Sequence, residues 1–80
     1  MLNYTDTLIV VGLGGEQYEL TQCRIDNNKV VYTKNLTTKV QSGSKIIRKY
    51  SDGYEETYFV MNVGSKPTLN GTIEIQITPV

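Results

Sequence analysis

The stretch from Ser44 to Val63, SKIIRKYSDGYEETYFVMNV, decides the fold. Two runs rich in β-branched and aromatic residues flank Asp52-Gly53, and Asp-Gly between such runs favours a two-residue hairpin turn of type I′. Folding the runs back on that turn predicts a register: Tyr50 faces Glu55, Lys49 faces Glu56, Ile47 faces Tyr58 and Ile46 faces Phe59. Opposite charges then meet near the turn and apolar groups meet beyond it, the pairing that stabilises neighbouring strands.

The same pattern continues downstream. Residues 64–71 hold Pro67 and Asn70-Gly71, which interrupt a ladder and predict a loop. After it, Ile73, Ile75 and Ile77 alternate with Thr72, Glu74, Gln76 and Thr78, so one face of a final strand is dry and the other wet, before Pro79 ends the pairing.

Upstream, Thr7 to Val11 reads as a strand, and the glycine-rich Gly12-Leu13-Gly14-Gly15 turns it into a second running from Glu16 to Ile25. There Tyr18 and Leu20 share one face, but the alternation blurs at Gln22 and Cys23, which predicts a bulge or a change of partner. Asp26, Asn27 and Asn28 tolerate left-handed conformations and predict a turn into a third strand, Lys29 to Lys34. Residues 35–42 are ambiguous: Leu36 and Val40 lie four apart as on a helical face, whereas Thr37 and Thr38 prefer strand. We read them as strand, with a single helical turn as the rival.

Composition agrees with strands throughout, since Val, Ile, Thr and Tyr abound and alanine is absent. Residues 1–80 are thus expected to form a single all-β domain, a small barrel or sandwich of about six to seven short antiparallel strands. A chain this short buries only roughly 60 to 65% of its unfolded surface, so the core must be thin.

The chemistry available is narrow. Eight basic and eight acidic residues cancel, so no net field draws the chain to nucleic acid, an anionic membrane or an acidic substrate. With no histidine and one cysteine, the usual general bases, activated thiols and zinc ligand sets are missing. No enzyme activity, no metal and no cofactor is expected. Cys23 has only Arg24 as an adjacent cation and reads as a small buried hydrophobe rather than a reactive thiol.

Glu55 and Glu56, as strand neighbours, should point to opposite faces and cannot act as a pair on one substrate. The Gly12–Gly15 run lacks the lysine and helix of a phosphate-binding loop and reads as a hairpin turn. Sequons at Asn3, Asn35 and Asn70 fit a chain rich in Asn and Thr, and glycosylation is not expected. No apolar run approaches the roughly 20 residues of a membrane span, and no basic segment with a signal-like apolar run opens the chain. The expectation is a soluble protein, cytoplasmic or part of a virus particle, with no membrane partner.

Six tyrosines are the most informative feature, because tyrosine brings large area and a hydroxyl at low entropic cost and interfaces favour it. Tyr18 and Tyr32 are the expected core tyrosines. Tyr50, Tyr54, Ile73, Ile75 and Ile77 are the expected partner-binding residues, in a structural or binding module that self-associates or docks on a larger protein assembly through free strand edges and tyrosine anchors. In style the chain is similar to small accessory proteins of virus particles. The rival reading is an OB-like single-stranded nucleic-acid binder, in which Arg48, Lys49, Tyr50, Tyr54 and Tyr58 form a basic and aromatic platform.

Overall fold

The computed structural model describes residues 4–80. Its six strands are β1 (Asp6–Val11), β2 (Gln17–Asp26), β3 (Val30–Thr33), β4 (Lys45–Lys49), β5 (Glu55–Val63) and β6 (Ile73–Pro79). All pair antiparallel, and they close into a barrel in the order β1-β2-β3-β6-β5-β4, with β4 returning to β1. The barrel form, rather than the sandwich, leaves each strand with a neighbour on both sides. Main-chain edge pairing, expected as one route to a partner, is thereby restricted to stretches paired on one side only, such as residues 17–20.

The β4–β5 hairpin forms where the sequence places it, but one residue out of the expected register. Lys49 faces Glu55, Arg48 faces Glu56, Ile47 faces Thr57 and Ile46 faces Tyr58. The turn explains the slip. Gly53 N–H donates to the Tyr50 carbonyl at 3.0 Å, Tyr50 N–H donates to the Tyr54 carbonyl at 2.8 Å, and of the turn residues only Gly53 has a positive φ, 91°. This is a three-residue loop ending in a left-handed glycine, not a two-residue type I′ turn, in which Asp52 would also need positive φ. Asp52 instead accepts the Tyr54 N–H at 3.0 Å through its side chain, a bond that spans the glycine. The same three-residue device recurs at Gly15, closed from Gly12 to Glu16, and at Gly71, closed from Thr68 to Thr72.

The irregularity at Gln22 and Cys23 is both of the things the sequence suggests. Leu8 faces Leu20 while Asp6 faces Cys23, so β2 carries an extra residue, and Gln22 adopts φ 55°. At Cys23 the pairing also passes to β3, beginning with Thr33. The disturbed carbonyls are satisfied: the buried Thr33 hydroxyl donates to Thr21 O at 2.9 Å and Lys34 N–H to Gln22 O at 3.0 Å. Asn27 and Asn28, with φ of 52° and 56°, make the following turn.

Residues 35–42 form neither the expected strand nor a helix. They are a loop with a weak turn, Thr38 N–H to Asn35 O at 3.3 Å, and a second turn that closes from Ser44 N–H to Gln41 O at 3.1 Å, and the buried side chain of Val40 fastens them to the core. Leu36, which suggested a helical face, is 49% exposed.

The core is drawn from every strand: Leu8 and Val10, Leu20 and Cys23, Val31, Ile46, Tyr58 and Val60, and Ile73, Ile75 and Ile77. Tyr58 is the core tyrosine, at 1% exposure. Tyr18 packs half-buried against the core margin, and Tyr32 lies half-buried between inward-facing Val31 and Thr33, hence on the outside. Tyr32 is thus a correction to the expected core, because β3 alternates with the opposite parity.

Candidate interaction surface

The outer face of β1, β4 and β5 groups several exposed or half-exposed apolar side chains. On β5, Tyr58 and Val60 point inward, which turns Phe59 out to 40% exposure. Phe59 lies between Lys45 of β4 and Thr78 of β6, and the Lys45 ammonium stands 5.7 Å from its ring centroid. In the next row, half-buried Ile9 and Ile47 face each other across β1 and β4.

Met61 continues the alternation outward and sits at a bulge. Val60 faces Ile77 and Asn62 faces Gln76, so Met61 is the extra residue of β5 against β6, and it stands 60% exposed beside Phe59. A bulge re-aims a side chain at a local cost in pairing, and bulges are frequent next to functional sites. Sequence reasoning missed both residues, since the expected register put Phe59 against Ile46. The alternation in Thr57-Tyr58-Phe59-Val60-Met61 carries the signal, but its parity depends on the turn.

The two hairpin tyrosines stand at the barrel end nearest the β4–β5 turn. Tyr50 is 36% and Tyr54 61% exposed, with ring centroids 5.6 Å apart. The Arg48 guanidinium lies 4.9 Å from the Tyr50 ring centroid, and the Tyr50 hydroxyl donates to Glu56. That hydrogen bond to a carboxylate, the largest influence on it, raises the Tyr50 phenol above its ordinary range.

The platform expected for single-stranded nucleic acid is not assembled as a unit. Tyr58 has its ring in the core, Arg48 is 3.9 Å from Asp6, and Lys49 is 3.6 Å from Glu55. Only Tyr50 and Tyr54 remain as exposed faces, tilted 38° to each other. The expected partner-binding set also divides. Tyr50 and Tyr54 are at the surface, whereas Ile73, Ile75 and Ile77 are 8%, 0% and 4% exposed inside the barrel, because β6 is held between β3 and β5.

Cys23 is buried, and burial, the largest influence, pushes its thiol up to about 11 from an ordinary 9.0. The Thr33 hydrogen bond opposes this and the Asp6 charge adds to it. Among the described residues no three acidic or thiol groups converge as a metal site would require. Nor is there a helix long and apolar enough to cross a membrane. Of the sequons, Asn3 lies outside the described residues, and Asn35 accepts its own Thr37 hydroxyl at 2.9 Å. No protein family, curated protein or solved structure matches this chain.

Proposed function

We propose that this protein is a non-enzymatic docking module, whose barrel presents the outer face of β5 to another protein, either a second copy or a component of a larger assembly such as a virus particle. The observation that carries the reading is the pair Phe59 and Met61. Two large apolar side chains, alternate residues of one strand, share the outer face of the barrel at 40% and 60% exposure, and the second sits at a bulge. Half-buried Ile9 and Ile47 extend the apolar surface, and Tyr50 and Tyr54 add aromatic anchors of the kind that concentrate binding energy. A net charge of zero removes the repulsion that would keep copies apart.

The buried thiol makes a clean test available. With Cys23 sealed in the core, Met61→Cys places a single reactive thiol in the strip. Its alkylation should slow as protein concentration rises, or when the assembly partner is added, because the strip becomes covered. A rate independent of both would count against docking through β5.

A further inference from the structure

On the opposite half of the barrel, the outer face of β2, β3 and β6 bears a cleft of about 400 Å³ that the β5 strip does not touch. Its floor is a cross-strand row, Arg24 facing Tyr32 and Tyr32 facing Glu74. One wall is Tyr4, with the Lys34 ammonium 4.9 Å from its ring centroid. The other is the turn that carries Leu69 and Asn70.

That turn is held firmly. Thr68 N–H donates to Thr72 O at 2.7 Å, Gly71 N–H donates to Thr68 O at 3.0 Å, and the Thr68 and Thr72 hydroxyls are bonded at 2.7 Å, with Thr72 itself buried. Leu69 and Asn70 are therefore presented from a fixed support, which lowers the ordering cost of binding.

The lining selects a ligand class by what it disfavours. Leu69 is its one aliphatic side chain, too little for an apolar ligand. Asp26 and Glu74 repel an anion, and Arg24 with neighbouring Lys34 repels a cation. Arg24 and Asp26 form one partly exposed ion pair at 3.5 Å, which leaves other guanidinium N–H groups free to donate, while Glu74 has no ion-pair partner among the described residues. What remains suited to the cleft is a neutral molecule with one C–H face and a rim of hydroxyls that both donate and accept. Tyrosine rings accept the face, and carboxylate, amide and guanidinium groups take the hydroxyls in charge-assisted bonds.

We infer that this cleft binds a neutral pyranose unit of a saccharide, stacked on Tyr32 and hydrogen-bonded by Glu74, Arg24 and Asn70. The inference is independent of docking through β5, and the two can fail separately. The test is a titration of the isotopically labelled protein with D-glucose, D-galactose and N-acetyl-D-glucosamine, followed by amide chemical shifts. At least one sugar should give saturable shifts confined to Arg24, Tyr32, Asn70, Glu74 and their neighbours, with a dissociation constant on the order of 1 mM. Tyr32→Ala should weaken that binding at least about tenfold, a difference of about 1.4 kcal/mol. Should that variant unfold, Asn70→Ala, on an exposed turn, should weaken it severalfold in an intact barrel. The inference is overturned if no sugar saturates these amides, if glycerol shifts them equally, if both variants in folded form bind as tightly as the parent, or if an acetylated arginine amide titrates the cleft while the sugars do not.

Discussion

The Tyr58 hydroxyl donates to Oδ1 of Asn28 at 3.2 Å, joining the core of β5 to the β2–β3 turn thirty residues away in sequence. The ring fills the barrel directly opposite Ile46, and its polar end finds a partner at the barrel mouth. Tyr58→Ala should therefore cost about 3 to 5 kcal/mol, as for other large buried aromatics. Tyr58→Phe should cost about 1 kcal/mol through the lost hydrogen bond alone. Denaturant melts of the three proteins check both values, and equal melts for parent and Tyr58→Ala would place the ring outside the core.

Gly53 has φ 91° and nothing within 4 Å of where a Cβ would stand, so the cost of a side chain there is conformational rather than steric crowding. A β-branched residue resists positive φ strongly. Gly53→Val should destabilise by more than about 1 kcal/mol, whereas Gly53→Asn, which tolerates the left-handed region, should cost less. Urea denaturation distinguishes them, and coincident curves for Gly53→Val and the parent would contradict this turn.

The thiol of Cys23 should not react with iodoacetamide near neutral pH in the folded protein and should react once the chain is unfolded. Its folded pKa, about 11, lies above the ordinary 9.0. Between those values the unfolded chain has lost the proton that the folded chain keeps. The unfolded state then binds fewer protons, and stability falls as pH rises. Melts at stepped alkaline pH should show this decline, with a smaller slope in Cys23→Ala; an unchanged slope would remove Cys23 as a contributor.

How much of this was legible depends on parity. The final strand could be read directly, because Ile73, Ile75 and Ile77 alternate without interruption and all three lie inside. The hairpin at Asp52-Gly53 could be read as a hairpin but not in register, since Asp-Gly serves both the two-residue turn and the turn found here, and one residue of slip exchanges which partners share the core. Phe59 and Met61 were hidden by that slip. Residues 35–42 misled because Thr37 and Thr38 favour strand while the segment is a loop in which only Val40 is buried, and the helical spacing of Leu36 and Val40 was no better guide. The cleft around Tyr32 needed β2, β3 and β6 to be brought side by side, which no local pattern announces.

The division between inside and outside should show in mutational cost. Ile75→Ala removes fully buried methyl groups and should destabilise by about 2 to 5 kcal/mol, and deletion of 72–80 should unfold the chain. Phe59→Lys, on the outer face, should change monomer stability by about 0.5 kcal/mol or less. Thermal melts of the two substitutions test this, and a Phe59→Lys loss comparable to that of Ile75→Ala would mean that Phe59 belongs to the core.

Docking through the outer face of β5 is tested most directly by light scattering coupled to size-exclusion chromatography, on the parent chain and on the double variant Phe59→Lys, Met61→Lys. At high concentration the parent should elute with a mass above its 9.0 kDa monomer, and the double variant should return to the monomer while keeping the same melting behaviour. A parent that is a clean 9.0 kDa monomer at every concentration, alone and mixed with its assembly partner, and that the double variant matches in every respect, would contradict it.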